Sequence, residues 1–236
     1  MNDDRFLDIA SYVFPIVSGT PGREIFSVDR FIGSGFWVDS VGHFLTCHHV
    51  LENLKEGQCP AIAKPFGEER DRYIPIIASE AHPKFDFAMG TVKLVQPSKF
   101  LPLYEEPVVP GLNVSAFGFT EWEKSGQSLQ IDARYLKGHV TRTSDESQGL
   151  PTPKVVEVSF GSPSGFSGTA LLVDFKIAGM LYSNVETKLN SYSITEVLDG
   201  NSEYRETAYR IYEYGLSHHP DGFVAFLNAC GIHPFQ

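Results

Sequence analysis

Apolar and polar residues alternate along most of this chain in short runs, punctuated by Gly, Pro and Asp. YVFPIVS (12–18) and SVDRFIGSGFWV (27–38) are β-branched and aromatic and predict strands, the second broken by Gly33 and Gly35. FLTC (44–47) predicts another, and VLENLK (50–55) one helical turn. Further strand-like runs follow at 60–66, 72–80, 87–95, 113–120, 130–144 and 154–160. ALLVDFKIAGMLYS (170–183) predicts two strands around a turn at Asp174–Lys176, and SYSITEVL (191–198) one more. Many short strands with turn signals between them predict a sandwich or a barrel. After about residue 203 the pattern changes. EYRETAYRIYEYGL and then GFVAFLNACGI carry apolar residues at helical spacing around the His-His-Pro break at 218–220, and predict a C-terminal helical pair.

The length, 236 residues, suits one large domain or two small barrels sharing an interface. A linker is expected near 98–111, which holds Pro102, Pro107 and Pro110. The division expected is 1–100 for an N-terminal unit and 101–236 for a C-terminal one. A formal net charge of −10 with no Lys/Arg run argues against nucleic acid as a partner. No run reaches the roughly 18 apolar residues of a membrane span. MNDDRFLDIASYVF has neither a basic n-region nor an apolar h-region, so no secretory signal is expected. Cys47, Cys59 and Cys230 make an odd count. Free thiols in a reducing compartment fit better than a disulfide framework, and the expected location is cytoplasmic.

Three segments carry candidate chemistry. GSPSGFSGTALLV (161–173) sets Ser167 between Gly165 and Gly168 just before an apolar strand. Acyl transfer needs a nucleophile on a tight turn with backbone N–H groups aimed at the developing oxyanion, and glycine permits such a turn. Alone, this is equally a Gly/Ser loop between strands. Thr169 breaks GxSxG and disfavours an α/β-hydrolase elbow. GSGFWVDSVGHFLTCHHV (33–50) places His49, a candidate base, after a strand; it reads otherwise as a partly buried structural histidine. HPKFDFAMGTV (82–92) sets Asp86 between Phe85 and Phe87, where a carboxylate needs a partner. Asp86 reads either as a turn or capping residue or as the acid that orients a histidine.

Together these segments resemble the trypsin-like, chymotrypsin-fold peptidases of the PA clan, especially the bacterial branch related to HtrA-type proteases. The first is similar to that family's G-[ST]-G-F-x-V…G-x-x-L-T-x-x-H-V, the second to D-[LF]-A-x-x-x-V, and the third to G-x-S-G-[GST]-[PA]-L. The order His, Asp, Ser also matches. The resemblance implies an all-β fold of two six-stranded antiparallel barrels with a C-terminal helical segment. It implies a catalytic triad of His49, Asp86 and Ser167, with the amides of Gly165 and Ser167 as the oxyanion hole. His49 carries over because it precedes Val50; His48 does not. Gly161, six residues before Ser167, falls at the floor of the substrate pocket, and Ser183 and Asn184 lie in its wall beside the substrate backbone. With no acid at 161, an uncharged residue is expected in that pocket.

Phe166 stands where secreted trypsins carry an acid, and no processing-type N-terminus is present, so activation by N-terminal cleavage is not expected. The roughly 35 residues after 202 are too few for the PDZ domain of HtrA proteins. The partner implied is a protein or peptide substrate, with room for one dedicated partner or activator of the oxyanion loop; membrane is not expected. No cofactor or metal is implied. A metal cluster of His48, His49, His82 and Asp86 is disfavoured because adjacent histidines on a strand face opposite ways. A Cys47 nucleophile would leave the GFSG loop unexplained. The alternative from another class is a catalytically silent pseudoprotease acting as a protein-binding module.

Overall fold

The computed structural model describes residues 9–22, 26–52, 54–64, 72–94, 98–125, 128–144, 154–198 and 202–235. Two closed six-stranded barrels account for most of them. The first is built from β1 (Val13–Pro21), β2 (Phe26–Trp37), β3 (His43–Thr46), β4 (Cys59–Ala63), β5 (Tyr73–Ala81) and β6 (Ala88–Val92), in the order β1-β2-β3-β6-β5-β4. The second holds β7 (Asn113–Ser125), β8 (Ser128–Ser144), β9 (Val155–Val158), β10 (Ala170–Val173), β11 (Lys176–Leu198) and β12 (Ser202–His218), in the order β10-β11-β12-β9-β8-β7. Every strand pairing is antiparallel. Closure leaves no open sheet edge within the barrels, which suits short strands of alternating pattern.

One apolar cluster runs through both barrels. Phe36, Phe44 and Phe87 from the first meet Phe117, Phe119, Leu172 and Met180 from the second, and Phe223 and Leu227 of the C-terminal helix Pro220–Ala229 close it. The barrels therefore share a core, and the cleft between their rims is where side chains from both can meet. Segment 98–111 crosses from one to the other and is pinned by Tyr104 N–H donating to the Ile177 carbonyl at 2.9 Å.

The helix expected from about residue 203 is a strand. Residues 202–218 pair with β11 from Leu198↔Ser202 to Met180↔His218, with register shifts between Leu181 and Ser183 and between Asn190 and Tyr192. Tyr204, Thr207, Tyr209, Ile211, Tyr212 and Tyr214 are β-branched or aromatic, and such residues favour extended backbone once a partner strand supplies the ladder. Likewise 191–198 is not a separate strand but the outer part of β11. Beyond the barrel, β11 and β12 pair only with each other among the described residues, forming a long two-stranded ribbon. The second predicted helix exists, as Pro220–Ala229. The turn expected at 174–176 is a two-residue hairpin loop with Asp174 and Phe175 at φ 46° and 63°, the geometry that matches strand twist.

Candidate active site

His49 is the second residue of the short helix His48–Glu52, which follows β3 after the single residue Cys47. Asp86 lies in the connection from β5 to β6, locked by its neighbour Phe87. That ring is fully buried, and its carbonyl accepts the His82 N–H at 2.9 Å. The Asp86 carboxylate grips His49 twice. Oδ2 lies 2.7 Å from His49 Nδ1, and Oδ1 accepts the His49 backbone N–H at 3.0 Å. The hydrogen bond to Asp86, ahead of its charge, raises the His49 pKa against the lowering effect of burial. Burial pushes the Asp86 carboxyl up, but the bonds from the His49 ring and N–H outweigh it and hold it below the usual carboxylate value.

Ser167 lies on two successive tight turns. Phe166 N–H donates to the Pro163 carbonyl at 3.0 Å, and Thr169 N–H to the Phe166 carbonyl at 2.9 Å. The third residue of each turn is a glycine with positive φ, Gly165 at 97° and Gly168 at 87°. That position demands the left-handed region. A Cβ on Gly168 would stand 2.1 Å from the Ser34 carbonyl oxygen, and one on Gly165 2.1 Å from the Phe31 ring. The amides of Phe166, Gly168 and Thr169 are taken by carbonyls, whereas those of Gly165 and Ser167 have no protein acceptor among the described residues. Two adjacent unpartnered N–H groups beside a serine hydroxyl are what an oxyanion hole requires.

Contacts across the barrel interface set these parts against each other. Ser34, fully buried on β2, donates its N–H to the Ser167 carbonyl at 2.9 Å and its Oγ to the Gly165 carbonyl at 2.8 Å. Thr46 Oγ1 in turn donates to the Ser34 carbonyl at 2.7 Å. Cys47 Sγ donates to the Leu181 carbonyl at 3.4 Å. His218 on β12 places Nε2 3.2 Å from the Asp86 carbonyl and stacks on Tyr182 at 4.1 Å. His49 and Ser167 themselves are not hydrogen-bonded to each other; catalytic contacts of this kind often tighten only with substrate bound.

The serine and the histidine thus belong to opposite barrels, joined by the Ser34 bonds to the Ser167 turn. Residues 33–180 match the family profile of the trypsin-like peptidase domain. The chain belongs to the trypsin-like peptidase family. Solved structures similar to this peptidase include Rv3671c from M. tuberculosis H37Rv in an inactive form, at 16% identity and TM-score 0.59, covering 98% of this chain and 91% of that one. The active form of Rv3671c protease from M. tuberculosis is similar at 16% identity and TM-score 0.59, covering 94% and 82%. The HtrA-type protease AlgW with a decapeptide is similar at 13% identity and TM-score 0.60, covering 93% of this chain and 64% of that one. At such identities these likenesses establish the fold. No curated protein sequence matches the peptidase.

The remaining sequence candidates divide. Ser183 and Asn184 lie on β11 just past Leu181, whose carbonyl accepts the Gly168 N–H. Both are exposed, and Asn184 makes two side-chain bonds to Ser162. Gly161 lies against Glu213 of β12. His82 Nδ1 accepts the N–H groups of Lys84 and Phe85, and its ring stacks on Phe85 at 4.5 Å, a structural role. Ligand atoms of Cys47, His49 and Asp86 lie within 4.8 Å of one another. The Cys47 thiol, however, is fully buried and bonded to a carbonyl, and burial raises its pKa well above that of a free thiol. A neutral thiol is a poor metal ligand and a poor nucleophile. Phe166 is packed in the core of the second barrel, so no ion pair can form there. The sequence reading missed Ser34 and His218. Ser34 was legible as the central residue of the G-[ST]-G-F motif. His218 had no local signal, because its contact with Asp86 spans 132 residues of chain.

Proposed function

We propose that this chain is a serine endopeptidase that cleaves peptide bonds through an acyl-enzyme, with Ser167 as nucleophile, His49 as general base and Asp86 as the orienting acid. One observation carries the reading: Asp86 holds His49 by ring and backbone on one barrel, while on the other the Ser167 turn, tied to the first barrel through Ser34, leaves the Gly165 and Ser167 amides with no acceptor among the described residues. With Nδ1–H donated to Asp86, His49 keeps its Nε2 lone pair free to take the Ser167 proton as Oγ attacks the carbonyl carbon. The oxyanion that forms is met by the Gly165 and Ser167 amides, each such donor contributing roughly 2.7–4 kcal/mol in the transition state. His49 then delivers its proton to the leaving amine, and a water hydrolyses the ester by the same route.

Both free amides support a turn already in its working conformation, without N-terminal cleavage or an activator to form it. The free thiols of Cys47, Cys59 and Cys230 support a reducing, cytoplasmic setting, with a protein or peptide as the substrate. The open His49–Ser167 contact is the feature that favours the silent binding-module reading. Incubation with an unfolded protein substrate separates the two. Cleavage that is lost in both Ser167→Ala and His49→Ala is expected. Cleavage that survives both substitutions, or none by the wild type, contradicts the proposal.

A further inference from the structure

Two stretches leave the nucleophile turn side by side. One is 160–163, immediately upstream. The other is the start of the ribbon, Leu181 to Asn184, held against the turn by the Gly168 N–H bond to the Leu181 carbonyl at 2.8 Å. By resemblance these are the two walls of the slot that takes the side chain before the scissile bond. In this structure one side chain joins the walls. Asn184 Oδ1 accepts the Ser162 N–H at 2.6 Å, and Asn184 Nδ2 donates to the Ser162 carbonyl at 2.7 Å. Ser162 is buried, while Asn184 is exposed.

Behind the clamp the same segment is tied to β12. Gly215 N–H donates to the Phe160 carbonyl at 2.7 Å. Asn184 pairs with Gly215 in the ribbon and Glu186 with Glu213, so Asn184 and Glu213 project from one face. Glu213 fills the space a side chain at 161 would take: a Cβ on Gly161 would stand 2.8 Å from Glu213 Oε2 and 3.1 Å from its Cβ. An acid is thus absent from position 161 itself, but the exposed Glu213 of the opposite strand lies beside it.

We propose that Asn184 sets the depth of this slot, so that the enzyme accepts small uncharged side chains such as Ala or Ser before the scissile bond and rejects longer ones, basic residues included. The inference rests on the serine-peptidase reading above. It reaches the uncharged preference by a different route from the bare floor: an acid lies beside Gly161, but Asn184 bridges the two walls. Removing the clamp should open the slot onto Glu213 and admit Lys.

The test uses the full chain and peptidyl diphenyl phosphonates that differ only in the residue before the phosphorus: Ala, Leu, Phe or Lys. Each bonds the attacking Ser167 oxygen to phosphorus and expels phenol, with the proton leaving through His49. Wild type should label with the Ala probe roughly 100-fold faster than with Phe or Lys, since pocket-size discrimination is worth about 10–200-fold. In Asn184→Gly the ratio should fall to roughly 10-fold or less, with the Lys probe gaining most. Glu213→Gln in that background should abolish the Lys gain and keep the Leu gain. Circular dichroism and melting curves report folding, and Asn184→Ser, too short to reach both Ser162 groups, serves if the glycine variant is unfolded. A wild type that prefers Leu, Phe or Lys overturns the inference. So does a folded clampless variant with an unchanged profile. Survival of the Lys gain in Glu213→Gln overturns the role given to Glu213. If no probe labels Ser167 at all, the peptidase reading itself fails, and this inference with it.

Discussion

Ser34 Oγ, on β2 of the first barrel, donates to the Gly165 carbonyl in the nucleophile turn of the second at 2.8 Å. The Ser34 N–H holds the next-but-one carbonyl, that of Ser167, at 2.9 Å. Both carbonyls are thus held at the barrel interface, while the Gly165 and Ser167 amides keep no acceptor among the described residues. Ser34→Ala removes one of these two anchors. The expected result is a fall in kcat of about 10–100-fold with little change in KM, less than the roughly 10²–10³ of deleting an oxyanion donor outright. Ser34→Thr keeps the hydroxyl and should restore most of it. A purely structural role would instead lower the melting temperature and leave kcat of the folded fraction unchanged.

The pH profile should report the His49–Asp86 pair. The base must be neutral, and its pKa is raised by the hydrogen bond to Asp86. Activity should therefore climb through a midpoint above 6.5 and level off at alkaline pH, measured as kcat/KM. Asp86→Asn should move that midpoint down and lower kcat by about 10⁴-fold. For stability the signs are opposite. The raised His49 pKa contributes below its unfolded value and is lost as pH rises through its folded value. The lowered Asp86 pKa contributes above its unfolded value and is lost as pH falls through its folded value.

His218 makes a separate prediction about acid. Burial, against the raising effect of Asp86, pushes its pKa down to about 4. An unfolded histidine near 6.5 then binds a proton that the folded one refuses. Stability is lost as pH falls from about 6.5 towards 4, by up to about 3 kcal/mol. His218→Gln keeps a donor for the Asp86 carbonyl but does not titrate. Melting temperatures measured from pH 4.5 to 7 should slope less in this variant than in the wild type.

Cys47 lies two residues from His49 but is buried and hydrogen-bonded to the Leu181 carbonyl. The folded enzyme should resist iodoacetamide at this residue, as read by peptide mass. Cys47→Ala should keep activity within about threefold after correction for stability. Loss of all activity in a folded Cys47→Ala protein would assign the nucleophile to the thiol.

The barrels and the three candidate residues were legible because each is encoded locally. His49 ends a β3 signal, Asp86 sits between two phenylalanines, and Ser167 sits between glycines that its turns require at Gly165 and Gly168. What was not legible is set by long-range pairing. EYRETAYRIYEYGL has apolar spacing that fits a helix, and only the register with β11 makes it a strand. The pocket reading stopped at Gly161 for the same reason. The acid beside it, Glu213, comes from a strand far along the chain, β12.

The most direct test of the central claim is labelling of freshly purified protein with a small alkyl fluorophosphonate, followed by peptide mass spectrometry. The account predicts a single adduct on Ser167, with loss of fluoride, that disappears in Ser167→Ala and slows at least 100-fold in His49→Ala. No adduct on folded wild type, or an adduct that persists in Ser167→Ala, would contradict it.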